Sequence, residues 1–162
     1  MFTFFAVLLL AGTGWGQMSP IVVKNAWVRP TPPGIENTAM YAEIHNMGEV
    51  ADRLVSASTA RAMVVEIHEV KTKDGMMQMS PVKGGISIPA KGMASLQPGG
   101  FHLMVIGLDG PVKKGETITF ELTFEKAGKV LVQAAAEMRL GSMQGMGHGS
   151  GGKTGKQMNM KK

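Results

Sequence analysis

The sequence predicts an all-β domain, a Greek-key sandwich or small barrel, and two observations carry this prediction. Between Ile21 and Met138 the chain consists of short segments rich in Val, Ile and Thr, separated by Gly and Pro, a pattern typical of antiparallel β proteins. From Thr117 to Glu125 apolar and polar residues alternate strictly, so this strand has one buried face and one wet face. No segment has the length and periodicity of a convincing helix.

Further strands are expected wherever short apolar runs lie between turn signals. They are Val22 to Val28, Met40 to Asn46, Val64 to Val70, Met76 to Met79, Ile86 to Ile88, His102 to Ile106 and Val130 to Ala136. Three residues are interpreted as core, namely Trp27, Met40 and Met63. The loops Pro32-Pro33-Gly34, Gly84-Gly85 and Pro98-Gly99-Gly100 are interpreted as turns.

The two ends of the 162-residue chain differ in composition from the domain between them. Residues 1–16 carry no charge and contain an apolar run that ends in small residues, so we expect a removable export signal, a periplasmic or otherwise exported protein, and no membrane span after processing. Residues 17–140 form the expected single domain. Residues 141–162 contain seven glycines, four lysines and no aliphatic or aromatic residue, which predicts a disordered tail.

The formal charge of +5 does not indicate a nucleic-acid partner. Four of the seventeen basic residues follow Leu140, which leaves thirteen against twelve acidic residues before it. A nearly neutral domain with few aromatic residues lacks the clustered basic surface that binding to phosphates requires.

Histidines and methionines are the candidate ligands for a metal ion, because the sequence has no cysteine to supply a thiolate. Asp74-Gly75 is a strong signal for a two-residue type I′ hairpin turn. Pairing Lys73 with Met76 puts Val70 opposite Met79, which makes His68 and Met79 diagonal neighbours on one face. A one-residue slip would destroy this arrangement.

His102 and Met104 also share a face, since they are two residues apart on one expected strand. Two thioethers and two neutral imidazoles form a soft, uncharged ligand set that favours Cu(I) over Mg, Ca or Mn. A blue-copper electron carrier would need a cysteine ligand. From the residues alone the ordinary alternative stays open, because strand methionines usually fill cores and neighbouring histidines usually lie at surfaces. His45 and Met47 are a further pair, interpreted as surface residues beside a turn.

Several segments resemble the periplasmic copper chaperone family PCuAC. They are Val65-Glu66-Ile67-His68-Glu69, Asp74-Gly75 with Met79, Ile88-Pro89-Ala90, Leu96 to Met104, Asn46-Met47-Gly48 with Asp52-Arg53-Leu54, and Gly115-Glu116 to Phe124. The resemblance covers about Ile21 to Ala136. The gap between His68 and Met79 is ten residues, as in the family, whereas the gap between Met79 and His102 is twenty-two, one more than usual, with the extra residue assigned to a glycine loop such as Gly84-Gly85.

The resemblance implies a cupredoxin-like β-sandwich that holds Cu(I) on His68, Met79, His102 and Met104. It also implies delivery of copper to the binuclear copper centre of cytochrome c oxidase, to its copper-bearing subunit directly or through a thiol-bearing chaperone. The tail could form a second site, and could also bind Cu(II) there, or it could serve only as a solubilising basic tail. Its candidate ligands are Met143, Met146, His148, Met158 and Met160.

Three alternatives to a chaperone stay open at this point. A copper storage or tolerance protein would use the same site, and a metal-free secreted interaction domain would not use it. An enzyme is disfavoured because no Ser-His-Asp group, paired carboxylates or second metal cluster can be identified in the sequence.

Overall fold

The computed structural model describes residues 19–139, and within this range the protein is all-β with no helix, as expected. The expected export signal, residues 1–16, and the expected tail, residues 141–162, lie outside the described residues. The strands are β1 (Ile21–Val28), β2 (Asn37–Asn46), β3 (Asp52–Thr59), β4 (Ala62–Lys73), β5 (Met76–Pro81), β6 (Ile86–Ile88), β7 (Met93–Leu96), β8 (Phe101–Leu108), β9 (Thr117–Phe124) and β10 (Gly128–Ala136).

The strands close into a barrel of the cupredoxin-like kind expected from the sequence. The sheet runs β5-β4-β8-β7-β2-β1-β10-β9-β3-β6, and additional pairings of β8 with β2 and of β3 with β4 complete the circuit. Among the described strands, only β1 with β10 and β7 with β8 pair in parallel. Strand β5 pairs with β4 alone, so it is an edge strand, and each of its six residues is exposed.

The barrel interior holds the hydrophobic core. Strand β9 shows how the sequence builds it, because Ile118, Phe120, Leu122 and Phe124 are all at most 2% exposed and alternate with polar residues. Met40 is fully buried among them, as expected. Burying each large apolar side chain contributes about 1.5–3 kcal/mol relative to leaving it exposed.

The expected core position of Met63 is wrong, because its side chain is 88% exposed. Alternation along β4 puts Met63 on the same side as the buried Ile67, but Met63 is the second residue of the strand, and the side chain is exposed at this end. Met63 pairs across from the Gly107 region of β8, and its side chain lies directly over Gly107. The exposed thioether thus covers a glycine that has no side chain of its own.

Two strands were not expected from the sequence, namely β3 and β7. In β3 the pairing with β9 shifts between Leu54 and Ser56, and such a bulge interrupts the alternation from which strands are read. Strand β7 has only four residues, which is too short for a periodic pattern to stand out.

A buried carboxylate, Asp52, ties the start of β3 to the turn between β9 and β10. Its Oδ1 accepts hydrogen bonds from the backbone N–H groups of Arg53 (2.7 Å) and Lys126 (2.9 Å), and its Oδ2 accepts one from Ala127 (2.9 Å). Burial alone would raise the pKa of Asp52, but these three donors and the Lys126 ammonium outweigh it and hold the pKa below its usual value. The ionised carboxylate therefore stabilises the closed barrel.

We expect Asp52→Asn to lower the free energy of unfolding by about 1–3 kcal/mol at neutral pH, because the amide cannot accept all three hydrogen bonds. The lowered pKa means that the ionised Asp52 contributes its stability above the unfolded-state pKa of about 3.9 and loses it as the pH falls through the lower folded-state value. The difference between wild type and variant should therefore shrink on acidification. Urea unfolding over a pH series measures both effects.

The matched control is Asp74→Asn, the same change in the exposed β4–β5 turn. An Asp52→Asn variant no less stable than this control would contradict the role given to Asp52.

Candidate metal centre

The β4–β5 hairpin has the register expected from the sequence. Asp74 and Gly75 adopt positive φ angles of 52° and 76°, as a type I′ turn requires. Lys73 pairs with Met76, and Val70 pairs with Met79. The prediction that His68 and Met79 are diagonal neighbours on one face is therefore confirmed.

The sequence did not indicate that His68 lies directly opposite His102. Strands β4 and β8 are antiparallel, with His68 paired to His102 and Ile67 paired to Leu103. The two imidazole rings have centroids 5.9 Å apart and planes inclined by 58°. With metal–nitrogen bonds of about 2.0–2.1 Å, the value for zinc, two imidazoles on one ion have centroids roughly 5–6.5 Å apart.

Each histidine has one ring nitrogen held by the protein and one that is free. His102 Nδ1 lies 3.2 Å from the carbonyl oxygen of Gly100, and a carbonyl only accepts, so Nδ1 carries the proton. His68 Nε2 lies 2.8 Å from the carboxylate of Glu66 and likewise donates. The remaining nitrogens, His68 Nδ1 and His102 Nε2, are buried and have no hydrogen-bond partner.

Two buried acceptors without partners are costly, at about 1–3 kcal/mol each. Lone pairs on two neutral imidazoles are also what a metal ion needs from histidine, with the second nitrogen of each ring fixed by a carboxylate or a carbonyl. The donor set therefore fits a metal ion.

Burial keeps His102 neutral. Its side chain is only 3% exposed, and this desolvation lowers the pKa of His102 below its usual value. The positive charges of His68, when protonated, and of Arg29 lower the pKa further, whereas the hydrogen bond to Gly100 opposes the change. His102 thus offers a lone pair at neutral pH.

The two methionines flank the histidine pair on opposite sides. Met104 is two residues from His102 on β8 and pairs across from Glu66. Met79 pairs with Val70, two positions from His68 in the other direction. Met104 is half-buried, whereas Met79 is 55% exposed. Of the four side chains, Met79 therefore lies nearest to solvent.

The described residues contain no group of three or more His, Cys, Asp or Glu side chains suited to a metal ion. The thioethers of Met79 and Met104 share a face with the two imidazoles, and thioether sulfur with imidazole is a soft ligand combination. Such a combination suits a soft metal ion better than hard cations such as Mg²⁺ or Ca²⁺.

Aromatic side chains continue from the histidines across the same face. The ring of Tyr41 is 6.2 Å from His102 and stacks on Trp27 at 4.5 Å between centroids. The guanidinium carbon of Arg139 lies 5.2 Å from the centre of the Trp27 ring. Trp27 is buried, as expected, but it packs in this outer stack rather than among the core residues of the interior.

His45 and Met47 lie outside strands β4, β5 and β8. His45 pairs with Met93 of β7, its Nε2 lies 3.4 Å from Glu43, and Met47 is exposed, as expected. The expected tail ligands, Met143 to Met160, lie outside the described residues. In the part of the chain that the structure covers, we find no helix capable of spanning a bilayer.

Comparisons with known proteins find a matching family and a relative that are both described as putative lipoproteins. The profile of a family described as "Putative lipoprotein LpqE-like" matches residues 21–136. A protein of Leifsonia xyli subsp. xyli (strain CTCB07), described as "Putative lipoprotein Lxx21020", is 34% identical over 114 residues, which covers 70% of this chain and 68% of that protein.

Two solved structures share the fold. The apo PCuAC domain from PmoF1 has 27% identity and a TM-score of 0.62, over 74% of this chain and 95% of that domain. The solution structure of Cu(I)-bound DR1885 from Deinococcus radiodurans has 31% identity and a TM-score of 0.56, over 75% of this chain and 81% of that protein.

The hydrogen bonds of the two histidines lead to a test that needs no metal. We expect the metal-free protein at neutral pH to hold His102 as the Nδ1–H tautomer and His68 as the Nε2–H tautomer. Glu66→Gln should reduce the preference of His68 and leave His102 unchanged, because Gly100 alone fixes His102 Nδ1. Long-range ¹H–¹⁵N correlation spectra distinguish the tautomers.

Glu69→Gln is the control, because Glu69 lies on the same strand but pairs with Lys71. A mixed tautomer population at His102 in the wild type would contradict the assigned geometry.

Proposed function

The chain belongs to the LpqE-like family and has the fold of PCuAC domains, and from this premise we propose that it is an exported Cu(I) metallochaperone. Its cargo is held by His68, Met79, His102 and Met104. It binds the ion, carries it and releases it without chemical turnover.

The observation that carries this proposal is the pair of buried imidazole nitrogens with no hydrogen-bond partner. They belong to residues directly opposed on neighbouring strands, with ring centroids 5.9 Å apart. A thioether flanks the pair on each side. A metal-free interaction domain gives no reason to bury two unpartnered lone pairs.

Release is favoured by the character of the ligands. All four are uncharged when they bind, so no anionic ligand has to be separated from the ion when it leaves. Met79 is more than half exposed, so a partner's thiolate can approach the ion on this side and replace the thioether. A thiolate is a soft, anionic ligand that binds Cu(I) strongly.

We propose that the acceptor is the binuclear copper centre of cytochrome c oxidase, reached directly or through a thiol-bearing chaperone. The fold shared with Cu(I)-bound DR1885 supports copper handling, and the thiolate-exchange chemistry supports a cysteine-bearing acceptor. A storage protein would keep its Cu(I) when offered a dithiol copper domain, whereas a chaperone transfers it.

We further propose that the tail is a second copper ligand set. Its candidates are Met143, Met146, His148, Met158 and Met160. The described chain ends at Arg139, and the successive separations of 5.2, 4.5 and 6.2 Å through Trp27 and Tyr41 put its guanidinium within about 16 Å of the His102 ring. At about 3.3–3.6 Å per residue, seven residues from Arg139 to Met146 can span that distance.

The proposed function is tested by anaerobic competition for Cu(I) against a colorimetric chelator. We expect the wild type to bind one ion tightly, and we expect His68→Ala, His102→Ala, Met79→Ala and Met104→Ala each to weaken binding about tenfold or more, since each removes a ligand. A truncation after Leu140 should keep the tight site and lose only additional ions.

Met93→Ala is the control, because Met93 is similarly exposed but lies beside His45, away from the four proposed ligands. Unchanged affinity in all four ligand variants would refute the site.

A further inference from the structure

A second thioether, Met77, lies on the same face of the hairpin as Met79, one step farther from the histidines. Met79 pairs with Val70 and Met77 pairs with Thr72. Directly opposed residues point to the same side of a sheet, and so do residues two apart on one strand. Met77, Met79 and His68 therefore share one face.

Met77 is too far from the histidines to belong to the same ligand set. It lies four residues along the strands from the position opposite His68, which corresponds to roughly 13 Å at 3.3–3.4 Å per residue. From Met79 it is only two residues away, or roughly 7 Å. Two flexible thioether side chains can close that gap on one ion, so Met77 can share an ion with Met79 but not with the histidine pair.

The exposure of these side chains indicates the side from which an ion reaches the histidines. Met77 is 59% exposed and Met79 is 55% exposed, whereas His102 is 3% exposed. Solvent exposure of the soft ligands thus decreases from the hairpin toward the histidine pair. An ion that reaches His102 Nε2 has to come from the exposed side.

Packing does not explain why methionine occupies this position. Strand β5 has one neighbouring strand and is exposed along its whole length. Exposed edge strands usually carry charged or polar residues that prevent association with other chains. A large apolar side chain here has no core to fill. What methionine offers that charged and polar side chains do not is a thioether sulfur.

We propose that Met77 is a first-contact Cu(I) ligand that receives the ion from its donor and passes it to Met79. The inference rests on the proposed function of the four-residue centre. A bond from copper to Met77 Sδ forms as a donor ligand leaves, and a bond to Met79 Sδ forms before the Met77 bond breaks. Copper stays Cu(I), and no proton moves, because a thioether has none to release.

The neighbouring Met76 provides a matched control. It is adjacent to Met77 and equally exposed, at 63%, but it pairs with Lys73 and points to the opposite face of the hairpin. Leucine at either position keeps the apolar bulk and removes only the sulfur atom. Both positions are at the surface, so both variants should fold.

The first experiment measures Cu(I) uptake by the full-length chain from a chelator complex in an anaerobic stopped-flow instrument. We expect Met77→Leu to slow loading by about threefold or more while the equilibrium affinity changes little, because only the path to the site is altered. Met76→Leu should load at the wild-type rate. Equal loading rates in Met76→Leu and Met77→Leu would overturn the inference.

The second experiment asks whether Met77 and Met79 bind copper together when the histidines cannot. In a His68→Ala, His102→Ala background, removing Met77 should weaken the remaining Cu(I) binding about fivefold more than removing Met76, because only Met77 can share an ion with Met79. Equal losses would overturn the inference. If the wild type bound no Cu(I) at all, the proposed function would fail as well, so the two failures are distinguishable.

Discussion

The antiparallel register of β4 against β8 is the constraint on which the rest of the candidate centre depends. It puts His68 opposite His102 on the outer face and, in the next row, Ile67 opposite Leu103 inside the barrel. Ile67 and Leu103 are 7% and 0% exposed. A one-residue slip would expose this apolar pair to water and turn the histidines inward. The hydrophobic core therefore holds the two imidazoles in place.

The surroundings of the two histidines then determine which nitrogen is available on each ring. Gly100 and Glu66 occupy one nitrogen apiece, and the others remain buried without partners. His102 is enclosed, whereas the Met79 side of the centre is open to solvent. An enclosed imidazole pair with an exposed thioether beside it suits the proposed binding and release of a soft ion.

Much of this fold could be predicted because the local signals agreed with the tertiary structure. The alternation from Ile118 to Phe124 identified β9, and Asp74-Gly75 identified both the hairpin and its register, since a two-residue turn fixes the pairing of everything that follows. His102 and Met104 could be put on one face from their spacing alone. Whether the four side chains bind copper remains a prediction.

The rest depended on contacts between segments distant in sequence. The pairing of β4 with β8, and thus the opposition of His68 and His102, has no local signal, because any two strands with matching apolar faces can pair. Glu66 was visible only as part of a motif and not as the partner of His68. Met63 was wrongly expected in the core, since strand alternation puts it on the side of Ile67 but does not show that it lies at the exposed end of β4. For the histidine pair the missing information was which strand lies next to which.

X-ray absorption spectroscopy of the full-length protein loaded with one equivalent of Cu(I) tests the central claim most directly. We expect two imidazole nitrogens and two thioether sulfurs bound to copper, with one sulfur lost in Met104→Leu and no change in Met76→Leu. A shell without sulfur, or one with a single imidazole, would contradict it.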